Sequence, residues 1–145
     1  MAAHLELIFP KLNNDSYRIT SSKTLGYNCV AWAADNNSRW WWPIAPPFAY
    51  WPTGVPREET LENFTEAFRE LGYQPCDNDL LEASYEKIAI YVDSSGTPTH
   101  VARQLRTGKW TSKLGRLEDI EHDTLEQLEG PYGVAFQFLR RPVRN

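Results

Sequence analysis

The sequence predicts an α+β fold in which N-terminal helices pack on a small antiparallel sheet. An Ala-rich apolar run at Cys29 and an apolar stripe from Leu61 to Leu71 give the first half helical texture. From Lys87 onward the apolar residues follow strand periodicity, and the strand runs are joined by short glycine-containing turns. Helices first and hairpin-linked strands second is the α+β order. At 145 residues the chain is near the size of one domain and long enough to bury a core, so a single domain over 1–145 is expected.

The first 26 residues, rich in Ser, Thr and Asn, read as a polar lead-in with at most one short strand, which places His4 in a mobile terminus. The run Cys29-Val30-Ala31-Trp32-Ala33-Ala34 is free of Gly and Pro and stops at Asp35-Asn36-Asn37, the pattern of a short helix with Cys29 in its first turn. The stretch Trp40-Trp41-Trp42-Pro43 to Tyr50-Trp51-Pro52 is too proline-rich for regular structure and is a loop. Pro56 fits the first position of a helix, Glu58 and Glu59 its first turn, and Leu61, Phe64, Phe68 and Leu71 its buried stripe until Gly72. Pro75-Cys76-Asp77-Asn78 reads as a turn. Ile88-Val92 and His100-Leu105 flank the turn Ser94-Ser95-Gly96, Arg106-Thr107-Gly108 leads into Lys109-Lys113, Thr124-Leu128 is a helical turn, and Gly133-Leu139 is the last strand.

Composition excludes several classes of function. A net charge of -4 and a pI near 5.4 argue against a partner bound through its phosphates, and the short basic cluster Arg140, Arg141 and Arg144 does not reverse this. No apolar run reaches the ~20 residues that span a bilayer, and no basic-then-apolar leader opens the chain. The expected setting is cytoplasmic, with Cys29 and Cys76 as thiols and the Asn36 and Asn63 glycosylation triplets as chance matches. Cys76 has no spaced His or Cys partners, so neither a metal nor a cofactor is expected.

Cys29 in a first helical turn meets unpaired N–H groups and the positive end of the helix dipole, which predicts a lowered thiol pKa. His100 opens a strand after a turn and is the natural base, its ring projecting towards a helix docked on the sheet. If Gly108 occupies the left-handed position of a three-residue loop, Leu105 pairs with Lys109, Ala102 faces Ser112 and His100 faces Leu114. Ser112 then shares a face with His100 and holds its ring; a two-residue loop would put Thr111 and Lys113 there instead. His122, set in Asp119-Ile120-Glu121-His122-Asp123, is the alternative third member, and its acidic surroundings predict a raised pKa at a surface or capping position.

Tyr27-Asn28-Cys29-Val30-Ala31-Trp32, with His100-Val101-Ala102 and the hairpin Leu105-Arg106-Thr107-Gly108-Lys109, resembles the NlpC-like branch of papain-like cysteine peptidases. The resemblance implies a papain-like fold with Cys29 as nucleophile, His100 as base, Ser112 at the third position and the Cys29 backbone N–H in the oxyanion hole, beside Tyr27 and Asn28. Asn28 stands where those proteins commonly have Asp, and Val30 where they have Ser. The wider pattern, including Trp110-Thr111-Ser112-Lys113-Leu114-Gly115 and His122, is similar to an uncharacterised bacterial family of unknown function.

Adjacent Trp40, Trp41 and Trp42 cannot all point inward, so at least one is expected to form a substrate wall near Cys29. The function expected is a cysteine peptidase or amidase acting on a peptide or amide-containing substrate through an acyl-enzyme. The alternatives are a non-catalytic binding module on the same fold, and an acyltransferase or deamidase that shares the acyl-enzyme.

Overall fold

The structure, a computed structural model, describes residues 3–13, 15–44 and 49–143. Helix α1 (Ala3–Ile8) precedes strand β1 (Tyr17–Ser21), the short helix α2 (Cys29–Ala33) and helix α3 (Leu61–Arg69). Then follow β2 (Gln74–Cys76), β3 (Tyr85–Val92), β4 (Pro98–Gln104), β5 (Trp110–Lys113), β6 (Asp119–His122) and β7 (Val134–Pro142), with a 3₁₀ helix at Leu125–Leu128 before the last strand. The strands form one seven-stranded sheet in the order β1-β6-β5-β4-β3-β7-β2. Every neighbouring pair is antiparallel.

The fold is α+β, but its sheet is larger than the sequence predicts. β1 is the one short strand that the lead-in allows, whereas β2 and β6 were hidden for different reasons. β2 contains Pro75 and survives because it is an edge strand, where a missing N–H costs no ladder bond. Cys76 therefore lies on a strand and not in a turn. β6 reads as charged, yet Asp119, Ile120 and His122 are all buried. The lead-in carries helix α1, and His4 is ordered within it, its Nε2 3.0 Å from Glu118 Oε2. Helix α3 starts at Leu61 and not near Pro56, because Thr60 is its N-cap, accepting from Asn63 N at 3.1 Å. Gly72 ends the run with φ +95°, Tyr73 N reaching back to Phe68 O at 3.1 Å.

Alternation along the central strands divides the core in two. Ile88, Ile90, Val101 and Leu139 pack with α2 and α3 on one face. Ala89, Tyr91, Ala102 and Ile120 pack with Leu5 of α1 and with Leu125 and Leu128 on the other.

The feature that matters most for a site is a split within this sheet. β4 and β5 pair only at Arg103↔Thr111 and Gln104↔Trp110, whereas β4 stays paired with β3 and β5 with β6 along their lengths. The hairpin register is that of the glycine-bulge loop: Leu105 N reaches Lys109 O at 2.7 Å and Gly108 has φ +94°. The two strands therefore part where His100 and Ser112 stand, and α2 packs against both of them.

A second constraint lies at Gly130-Pro131-Tyr132-Gly133, where Gly130 and Gly133 exchange two backbone hydrogen bonds of 3.0 Å. A Cβ on Gly133, whose φ is +82°, would stand 1.9 Å from Val92 O. Gly133→Ala is expected to lower unfolding free energy by about 3 kcal/mol or more. Gly54→Ala, at φ +92° but with open space around it, should cost only about 1–2 kcal/mol. Urea titration of the two variants measures both, and equal losses would mean that Gly133 is not sterically pinned.

Candidate active site

Asn28 starts α2 by capping it. Its extended backbone (φ −120°, ψ −174°) ends the preceding loop, and its Oδ1 accepts from Ala31 N at 3.2 Å. The same Oδ1 accepts from Trp41 N at 3.0 Å while Nδ2 donates to Trp41 O at 2.8 Å, so one amide joins the helix start to the tryptophan loop. Tyr27, one residue earlier, donates its hydroxyl to Asp119 Oδ2 at 2.7 Å, and burial is the main reason its pKa is pushed up to about 12. It is an anchor to β6.

Cys29 follows as the first helical residue and is only 6% exposed. The nearby backbone N–H groups of Val101, Val30 and Cys29 itself favour the thiolate. Burial outweighs them and pushes the thiol up to about 11. The lowered pKa expected from a helix start is not found, because a five-residue helix supplies less than desolvation removes.

His100, Ser112 and His122 form one hydrogen-bonded chain, all three fully buried. His100 Nε2 lies 3.0 Å from Ser112 Oγ, which lies 2.8 Å from His122 Nε2, and His122 Nδ1 lies 2.9 Å from Thr124 O. Burial holds both imidazoles neutral: His122 is pushed down to about 4, and His100 well below its usual value, with His122 adding to the effect. The direction of every bond is then forced. A carbonyl only accepts, so His122 carries its proton on Nδ1 and presents Nε2 as an acceptor. Ser112 donates to that nitrogen and accepts from His100 Nε2–H. His100 Nδ1 is left as a bare lone pair, and no hydrogen-bond partner reaches it.

His100 lies inside β4 and does not open it, and its ring is on the sheet face opposite α2, edge-on to Tyr91 with centroids 5.2 Å apart. Cys29, on the face of α2, and His100, on the other, thus lie on different faces of the sheet beside the split between β4 and β5. Tyr132 meets both. Its ring stacks on the His100 ring at 4.2 Å and 3°, and it shares a cavity with Cys29 of about 290 Å³. Thr99 Oγ1 holds Tyr132 O at 2.5 Å.

The structure therefore gathers the predicted residues unevenly. Ser112 and His122, read from sequence as alternatives, are consecutive links of one chain, because Ser112↔Ile120 pairing puts His122 on the same face one step further along β6. His122 is neither a surface nor a capping residue, and its pKa is lowered, since burial exceeds the pull of Asp123. Trp40 and Trp42 line the Cys29 cavity, whereas Trp41 is buried in the core. Sequence reasoning missed Tyr132, Thr99 and the Thr124 carbonyl. Only Tyr132 had a signal: an aromatic between Pro131 and Gly133 is held by a turn and has little freedom to move away.

Histidines that are neutral when folded and free to protonate when unfolded make stability pH-dependent. The unfolded chain binds more protons as pH falls through 6.5, so this contribution is whole above 6.5 and is lost on acidification until His122 itself protonates near 4. The interval corresponds to about 3 kcal/mol for His122. Urea midpoints should fall steadily between pH 6.5 and 4 and flatten when His122 is replaced by Gln; an unchanged slope in that variant would remove His122 as the cause.

No helix among the described residues is long and apolar enough to cross a membrane. No curated protein and no solved structure matches the chain. The sequence model of a domain of unknown function, DUF7689, matches residues 18–140, nearly the whole of the fold and all of the residues of the site. The chain belongs to this DUF7689 family.

Proposed function

We propose that this chain is a papain-like cysteine hydrolase that cleaves an amide or peptide bond through an acyl-enzyme on Cys29. The observation that carries the reading is the forced polarity of the buried chain. Thr124 O, His122 and Ser112 fix the His100 proton on Nε2, which leaves Nδ1 as an unpartnered base one residue from Val101, whose backbone N–H favours the Cys29 thiolate. The resemblance to NlpC-like peptidases at the same residues supports it.

With the thiol pushed up to about 11, Cys29 rests as S–H and not as half of an ion pair. His100 Nδ1 takes the thiol proton as sulfur attacks the substrate carbonyl, and the Cys29 backbone N–H steadies the oxyanion. The C–N bond breaks as the proton passes from His100 to the leaving amine. Water, losing a proton to the same nitrogen, then hydrolyses the thioester and regenerates the thiol. Ser112 and His122 act as positioning residues that hold the tautomer throughout.

A second reading, a binding module without turnover, is favoured by the buried neutral thiol, by the absence of any hydrogen bond at His100 Nδ1, and by the Tyr132 ring stacked over the base. Substrate binding shortens such contacts in many hydrolases, so the unbound geometry does not decide between the two.

Labelling by a small peptidyl chloromethyl ketone, followed by intact-protein mass, separates them. The adduct should vanish in Cys29→Ser and persist in Cys76→Ser, and its rate should fall about 10²–10⁴-fold in His100→Gln. Equal rates at both thiols, or no effect of His100→Gln in a variant that keeps its near-UV circular dichroism, would leave the binding module. The rate profile is a further check. His100 stays unprotonated down to its lowered pKa, so the rate should be flat through neutral pH, with its acid limb well below 6.5. A limb at 6.5 or higher would contradict the buried-base assignment.

A further inference from the structure

We propose that the cavity beside Cys29 receives an uncharged, apolar acyl group about the size of one aromatic or branched aliphatic side chain, so that the substrates are amides of apolar acids. The inference rests on Cys29 being the nucleophile.

The walls are apolar. Trp40, Trp42, Ile44, Ala49 and Tyr132 surround Cys29, and no Asp, Glu, Lys, Arg or His lines the space. Asn28 and Thr99, two of the polar side chains present, are already engaged. Asn28 Oδ1 accepts from Ala31 N and Trp41 N while its Nδ2 donates to Trp41 O, and Thr99 Oγ1 donates to Tyr132 O. A carboxylate or ammonium entering here would lose water and gain no partner of opposite charge, which costs several kcal/mol. An apolar group would instead gain from burial.

Size and rigidity narrow the class. A volume of about 290 Å³ lies at the low end of the ~300–1,000 Å³ typical of ligand sites, room for one compact group and not for a length of polymer. The walls are braced: Trp42 stands edge-on to Phe64 at 5.3 Å, and the Arg57 guanidinium holds the carbonyls of Ile44 and Ala49. The acyl side of the substrate is the one such a cavity suits. When the C–N bond breaks and the C–S bond forms, the amine departs with the thiol proton, whereas the acyl group stays on sulfur until water releases it. An occupant also touches Tyr132, the ring that covers His100.

The test uses chloromethyl ketones of N-acetylated Phe, Leu, Asp and Lys, with the Gly compound as size reference, each adduct located by peptide mass. The Phe and Leu probes should modify Cys29 at least ~10-fold faster than the Asp and Lys probes, the minimum expected from desolvating an unpaired charge. Modification of Cys29 by all five at similar rates, or faster by a charged one, would overturn this inference and leave the nucleophile standing. If no probe modifies Cys29 faster than Cys76, the nucleophile itself falls, and the inference with it. A binding measurement independent of reactivity completes the test. In Cys29→Ser, tryptophan fluorescence should respond saturably to N-acetyl-phenylalaninamide and not to N-acetyl-aspartamide, and a like response to both, or to neither, refutes the assignment.

Discussion

The parting of β4 from β5 is the constraint on which the rest of this structure depends. After two residue pairs the strands separate, and helix α2 is fastened to both sides of the opening. On the β5–β6 side, Trp32 Nε1 donates to Thr111 Oγ1 at 2.9 Å, Tyr27 bonds Asp119, and the buried Lys113 ammonium donates to Thr24 O, Gly115 O and Leu117 O. On the β4 side α2 packs along the strand, and the Val101 N–H is near enough to favour the Cys29 thiolate. Continued pairing at the 105↔109 register would set Val101 opposite Lys113, so the split is what frees Val101 to meet the thiol.

The same opening explains the electrostatics. Cys29, His100 and His122 are all shifted towards their uncharged forms, and desolvation is the first cause in each. Lys113 is shifted in the same sense, although Asp119 opposes it. An active thiolate–imidazolium pair would need two charges held where burial penalises both. A neutral thiol with a neutral base avoids that cost, and in the proposed reaction charge separation is confined to the moment when the forming oxyanion and the imidazolium compensate one another.

How much of this was legible follows from what kind of interaction each part uses. The α+β order, the Cys29 helix and the glycine-bulge register depend on local periodicity and on Gly108, so they could be read directly, and with the register came Ser112 on the face of His100. β6 could not, because Asp119 and His122 advertise a surface and are buried only through partners remote in sequence. Tyr27 and Lys113 belong to β6's company, 92 residues away in the case of the Tyr27–Asp119 bond. The pKa of Cys29 was misread for a related reason: a helix start is visible in a sequence, whereas the depth at which it is packed is not.

The buried polar atoms without partners sharpen the case for His100. Trp41 Nε1, Tyr73 Oη, Arg103 Nε and Asp119 Oδ1 are also unpaired, the last on a carboxylate whose other oxygen accepts from Tyr27. Three of them belong to large side chains with a packing role: Trp41 and Tyr73 fill the core, and the Arg103 guanidinium lies 5.3 Å from the Trp32 ring. An unmade bond of this kind costs about 1–3 kcal/mol. His100 packs as well, stacked on Tyr132 and edge-on to Tyr91, but a phenylalanine in its place would do so without stranding a nitrogen. What phenylalanine would lack is a lone pair whose position is fixed by Ser112, His122 and Thr124 together. In the proposed reaction that lone pair is the group that accepts the Cys29 proton, a use that packing alone does not give it.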